Sequence, residues 1–283
     1  MNDGNFNMNM ASFADTGQWR LIVSISLSGI SAVFKNIVDL TAPPVLLFNI
    51  RWEATPATLL EKVEETIYNN PRMLEDFATH IVVYTDKSLW IPEELTEDDE
   101  FDENMFTCIY PVDSSEDIFA DFGGKEVCLY TLAPGLNSFL RRTLPGCRVS
   151  SHLSVLKPVF ENEELSRLNG RNSEEFSERV YVNMRDNSAD IFAFSNSRFL
   201  SGSTFRWQDV NDIAYRIFLL SQVYGLDPMK VDLCILGSDR HCSLLSGVIA
   251  EYIPNINTLK WPRITEEYHI PLAAALVAGE SLR

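Results

Sequence analysis

Basic side chains are scarce in this sequence. Its 283 residues include 23 Lys and Arg against 40 Asp and Glu, a net charge of −17. Nucleic-acid affinity comes largely from Lys and Arg displacing counterions from phosphates, so nucleic acid is not an expected partner. Anionic membrane surfaces are disfavoured for the same reason. Long apolar runs are missing too. None approaches the roughly 18 consecutive residues of a membrane helix, so no membrane insertion is expected. The opening stretch "MNDGNFNMNMASFADTGQ" lacks a basic segment leading into an apolar one, which argues against a signal peptide. Residues 1–18 read as a disordered tail, and the expected location is cytoplasmic.

Metal-type spacing is equally absent. The four histidines, His80, His152, His241 and His269, are dispersed. The five cysteines include no CxxC pair. Cys128 and Cys234 sit in apolar runs where a reduced thiol behaves as a small hydrophobe, so no metal site and no disulfide framework is expected. There is no GxxxxGK[ST] loop and no GxSxG elbow. "DFGG" (121–124) matches the metal-holding triplet of protein kinases, but no glycine-rich loop and no HRD accompany it, so chance is the better account. Ser238, Asp239 and His241 share one turn, where polar residues more often cap the next helix than form a triad.

What the chain does have is apolar content of 46% with 11% aromatics, enough to build cores. Its length exceeds one compact domain of roughly 100 to 200 residues, so two lobes are expected. "WRLIVSISLSGISAVFKN" (19–36) alternates like a hairpin turning near Ser28 and Gly29, and "PPVLLFNIRW" reads as a third strand. A helix with Thr55 as N-cap and Pro56 at its first position follows, then the strand "THIVVYT". The acidic run "PEELTEDDEFDEN" (92–104) lacks the glycine and ligand order of a calcium loop and reads as a solvated connection. "FTCIYPV" and "EVCLYTL" read as strands, and "VSSHLSVLKPVFENEELSRLN" as helix broken at Pro158. "RVYVNMRDNSADIFAFSNSRFLSGSTFR" is a second three-stranded meander. It leads to the clearest helix, "WQDVNDIAYRIFLLSQVYG", ended by Gly225, and to the strand "DLCILGSD". The aromatic-rich "YIPNINTLKWPRITEEYHIPL" presents Trp261 and Tyr268 either to packing or to a partner.

Two meanders that each lead into a helix and another strand resemble the actin-like ATPase superfamily, which includes sugar kinases, heat-shock chaperones and actin. More closely, the chain resembles a bacterial family of unknown function described as having that fold. The resemblance spans most of 19–283 and implies an α/β, two-lobed, duplicated ribonuclease H-like fold, with mixed sheets flanked by helices. It places one lobe at 19–170, carrying the acidic loop 92–104, and the other at 171–283, with the last helix at the interlobe junction. In such proteins two hairpins grip phosphate. "VSISLSGISAV" puts Ser24 at the first Asp position, Ser26 at the glycine position and Ser28 at a hydroxyl position. "VNMRDN" puts Asn183 at the second Asp position and Arg185 at its glycine, with Asn187 in the turn. The adenosine motif is similar to "CILGSDRHCSLL", with Gly237 retained and Ser238 replacing a second glycine. Ser24, Ser26, Ser28, Asn183, Arg185, Asn187, Gly237 and Ser238 are therefore the candidate nucleotide-cleft residues.

Both Asp positions hold hydrated magnesium in such proteins, and hard cations need anionic oxygens. Neutral Ser24 and Asn183 weaken that grip, so no cofactor beyond a weak ATP is expected. The leading expectation is a binding or scaffolding module for a protein partner that lacks ordinary magnesium-dependent ATP hydrolysis. The alternative is an ATPase or small-molecule kinase whose metal is held by Asp186, Asp190 or Asp239.

Overall fold

The computed structural model describes residues 15–96, 99–112, 116–168 and 178–282. Most of the expected tail over 1–18 and the crossing near residue 170 lie outside the described residues. The elements run β1 (Trp19–Ser26), β2 (Gly29–Asn36), β3 (Val45–Arg51), α1 (Leu59–Tyr68), β4 (Ala78–Val83), β5 (Ser88–Pro92) and α2 (Asp99–Ile109). They continue through β6 (Ile118–Phe122), β7 (Glu126–Thr131), α3 (Leu136–Thr143), β8 (Arg148–Ser151) and α4 (His152–Leu168). The second half comprises β9 (Glu178–Met184), β10 (Ser188–Ser195), β11 (Arg198–Arg206), α5 (Val210–Tyr224), β12 (Val231–Leu236), α6 (Asp239–Ile249), β13 (Asn255–Leu259), α7 (Arg263–Tyr268) and α8 (Leu272–Val277).

Successive side chains of each meander point to opposite sheet faces, and in the central strands both faces are buried. The first sheet is ordered β3-β2-β1-β4-β8 and the second β11-β10-β9-β12-β13. In each the meander is antiparallel and the two following strands are parallel, so one pattern occurs twice. The echo extends to single residues. An Arg-Trp pair follows each meander, and the backbone N–H of Trp52 donates to the Ser28 carbonyl (3.0 Å) as that of Trp207 does to Asn187 (3.1 Å). A third, antiparallel sheet, β5-β7-β6, is inserted into the first half.

Leu21, Val23, Ile25, Phe34 and Phe139 form the core of the first lobe, and Val180, Val182, Ile191, Ile217 and Leu245 that of the second. A further cluster joins the lobes. Val82 and Tyr84 from the first sheet meet Tyr181, Phe192 and Cys234 from the second, together with Leu272 and Ala273 of α8. Ala274, Ala275 and Ala278 pack on Ile22 and Val33, their small side chains letting α8 lie close to β1 and β2.

Four local expectations are corrected. Helix α1 is capped by Thr58, not Thr55, because Glu61 lies three residues on and completes a reciprocal capping box. The acidic run, expected to be a loop over 92–104, becomes helical from Asp99. Phe106, just beyond it, is buried against Ile91, Val127 and Leu129 and anchors that helix, which also absorbs most of the expected strand "FTCIYPV". Pro158 lies inside α4 without ending it. It removes the hydrogen bond that the Ser154 carbonyl would otherwise receive.

Candidate functional site: the interlobe cleft

The turns of the β1–β2 and β9–β10 hairpins face one another across a cavity of about 300 Å³. Ser24, Ser26, Ser28, Asn183, Arg185 and Asn187 line it, with Trp261, Thr265 and His269 closing one side. Six of the eight sequence-predicted residues are thus brought together. Gly237 and Ser238 are not in the lining. Gly237 sits where an added Cβ would meet the Met184 Cβ at 3.2 Å, and the Ser238 hydroxyl caps α6 by accepting from the His241 backbone N–H at 3.3 Å.

The two positions at which the resemblance implies metal-holding carboxylates are both neutral and both occupied by protein partners. Ser24 lies directly across the strand pair from Ser31, and their buried hydroxyls bond to each other at 2.5 Å. Asn183, 1% exposed, accepts from the Trp261 indole N–H through Oδ1 (2.9 Å) and donates through Nδ2 to Asp190 Oδ2 (2.9 Å).

Asp190 is the centre of the site. Wholly buried on β10, it accepts through Oδ1 from Arg185 Nη2 (2.7 Å) and Thr204 Oγ1 (2.8 Å), with His152 Nε2 at 3.1 Å. Burial pushes its carboxyl upward, but the Arg185 guanidinium, His152 and the Asn183 amide outweigh burial and hold it well below the usual carboxylate range. Burial likewise lowers His152, against the pull of Asp190, so its imidazole is neutral near pH 7. The His152 ring stacks on Tyr84 at 4.4 Å, and the Arg185 guanidinium lies 4.7 Å over the same tyrosine. Arg185 therefore folds back onto Asp190 and Tyr84 while still lining the cleft. Burial raises the Tyr84 phenol far above its ordinary value, and its oxygen accepts from the Ala273 N–H at 3.0 Å.

At the mouth, Arg51 of the first lobe reaches Asp186 of the second at 3.0 Å, and Arg206 of the second reaches Asp86 of the first at 3.2 Å. Among the described residues no three His, Cys, Asp or Glu side chains group as a metal site. Magnesium does not fit the donors present. The two hairpin positions offer only hydroxyl and amide groups already bonded, and the adjoining carboxylate is saturated.

Sequence reading did not find Tyr84, His152 or Thr204, and it left Trp261 between packing and partner binding. Nothing local marks them, because Trp261 joins Asn183 from 78 positions away and His152 joins Asp190 from 38.

The family described as "Protein of unknown function (DUF3822)" matches residues 9–256. No curated protein matches. Among solved structures, the crystal structure of a Bacteroides thetaiotaomicron protein with actin-like ATPase fold and unknown function superposes with a TM-score of 0.76 at 18% identity, covering 88% of this chain and 93% of that one. The present chain has that fold. The PilM–PilN type IV pilus biogenesis complex gives a TM-score of 0.46 at 13% identity, over 93% of this chain and 99% of the other. The ethanolamine utilization protein EutJ from Carboxydothermus hydrogenoformans gives 0.40 at 9%, over 91% and 89%. Both of these likenesses are too loose to carry function.

Proposed function

The chain belongs to that DUF3822 family of unknown function, and we propose that it is a binding module of actin-like ATPase fold that does not perform magnesium-dependent ATP hydrolysis. The observation that carries this reading is the state of Asn183. Where a metal-holding carboxylate would stand, a neutral amide is fixed between the Trp261 indole and a buried carboxylate, so that position offers no anionic oxygen to the cleft. Ser24, tied to Ser31, is in the same condition. The three acids of the alternative reading offer little. Asp190 is saturated, Asp239 lies outside the cleft lining, and Asp186 is an exposed side chain engaged by Arg51.

The proposed division is one lobe over 19–170 and a second over 171–283, meeting at the cluster around Tyr84 and Tyr181. The proposed partner is another protein. Acidic charge supports this over nucleic acid, and no helix among the described residues is long and apolar enough to cross a membrane. A cytoplasmic location is part of the same proposal.

The test is a calorimetric titration with ATP, run with magnesium and again with EDTA, alongside a phosphate-release assay. The expected result is the same isotherm, or no heat, in both buffers, with no turnover. Magnesium-dependent binding with turnover that is lost on Asp186→Ala or Asp239→Ala would overturn the reading.

A further inference from the structure

Helix α8 has a cavity at each end. Leu272 lines the interlobe cleft, while Leu276 and Val277 line a second cavity of about 390 Å³ that shares no residue with the first. Its polar wall comes from His80 on β4, Asp121 on β6, Arg148 and Ser150 on β8, and Ser154 and Lys157 on α4. Val155, Leu276 and Val277 supply an apolar side.

The charges there are unevenly committed. Lys157 is used up, held by Glu161 at 2.6 Å and Glu126 at 3.0 Å. Arg148 is exposed and makes no hydrogen bond or ion pair among the described residues. Asp121 accepts from the Ser151 backbone N–H through Oδ2 at 2.7 Å, with the Tyr130 hydroxyl 3.5 Å from Oδ1. A carboxylate has about four acceptor positions, so Asp121 keeps capacity. A guanidinium with no hydrogen-bonded or ion-pair partner, whose charge reaches Asp121 and His80, and a carboxylate with acceptor capacity left thus face a small cavity that has an apolar wall.

We propose that this cavity binds a small apolar zwitterion of the α-amino acid type, with its carboxylate on Arg148, its ammonium on Asp121 and its side chain against Val155, Leu276 and Val277. Charge decides among ligand classes. A phosphate dianion would be repelled by Asp121, and a simple cation by Arg148. A neutral apolar body would strip water from both charges without replacing it, which is costly. Size agrees, since ligand cavities run from about 300 to 1,000 Å³ and this one lies at the small end.

His80 supplies an internal reporter. Burial, then the Arg148 and Arg20 charges, push its imidazole down to about 4, and its Nε2 shares a hydrogen bond with the Ser150 hydroxyl at 3.1 Å. A carboxylate seated on Arg148 offsets that charge and raises the imidazole.

The experiment titrates the full chain with L-leucine and L-phenylalanine, and with N-acetyl-L-leucine and L-leucinamide, by calorimetry and by NMR of the His80 ring. The free amino acids are expected to bind and to move the His80 titration upward. Each blocked derivative should bind at least about tenfold more weakly, the loss of roughly one charge-assisted contact. Arg148→Gln, a substitution at an exposed side chain, should lose binding and the His80 response while keeping the wild-type unfolding curve. Equal binding of a blocked derivative, full affinity in Arg148→Gln, or no heat and no His80 response with any of the four compounds would each overturn the proposal.

Discussion

The Asn183 side-chain amide donates to the buried Asp190 carboxylate at 2.9 Å, joining β9 to β10 next to the turn between them. Asn183 thus neutralises nothing and instead supplies a donor to an anion that already holds Arg185 and Thr204. Replacing it by an acid inverts that relation.

Asn183→Asp sets two carboxylates about 3 Å apart in a dry site, and like charges that close cannot both ionise. The substitution should destabilise the fold by about 3 kcal/mol at pH 7. The new carboxyl has its folded-state value raised, so the deficit is full above that raised value, shrinks as pH falls from it toward the unfolded value and is gone by about pH 4. Urea unfolding at pH 7 and pH 4 checks this. Adding Ser24→Asp should not create magnesium-dependent ATP affinity, which calorimetry reads directly.

Asp190→Asn removes the anion that Arg185, Thr204 and His152 share. Breaking a buried charge pair by deleting one partner costs about 3 to 5 kcal/mol. In the wild type the Asp190 carboxyl is depressed when folded, so its stabilisation is fully present above the unfolded value near 4 and is lost as pH falls through lower values. Acid titration of unfolding free energy should show this loss in the wild type. Asp190→Asn should lack that component of the slope, and a variant with an unchanged acid limb would remove Asp190 from this role.

Ser24 and Ser31 satisfy one another. Ser24→Ala leaves the Ser31 hydroxyl buried without its partner, at a cost of about 1 to 2 kcal/mol. Removing both hydroxyls should cost less than the sum of the two single changes. A double-mutant cycle by chemical denaturation gives the coupling, and strict additivity would contradict a mutual bond.

Gly29, not position 26, is the glycine that the first hairpin requires. A Cβ there would run into the backbone carbonyl oxygen of Ile50 and crowd Arg51 Cα at 3.3 Å, on the neighbouring strand β3. Gly29→Ala should cost about 1 to 3 kcal/mol, because backbone rather than a flexible side chain must move. Gly247→Ala, where nothing lies within 4 Å of the added atom, is the matched control and should unfold like the wild type or be slightly more stable.

The amino-acid sequence by itself determined the two meanders, the helices that follow them and the likeness between the halves. It did so through local physics: period-two alternation in "RVYVNM" and "DIFAF", and the stop at Gly225, whose φ of 66° is costly for residues with a side chain. The resemblance to the actin-like fold, not local physics, placed Ser24 and Asn183 at the cleft. Where local signals competed the local reading erred, as when the acidic charge around residue 99 hid a helix anchored at Phe106. What only the tertiary structure decided is what those cleft residues are attached to. That Asn183 is held by Trp261, that Arg185 lies over Tyr84, and that Arg148 and Asp121 share one cavity are consequences of side chains converging from distant segments. Packing of both lobes against α8 sets those distances, and no window of sequence contains them.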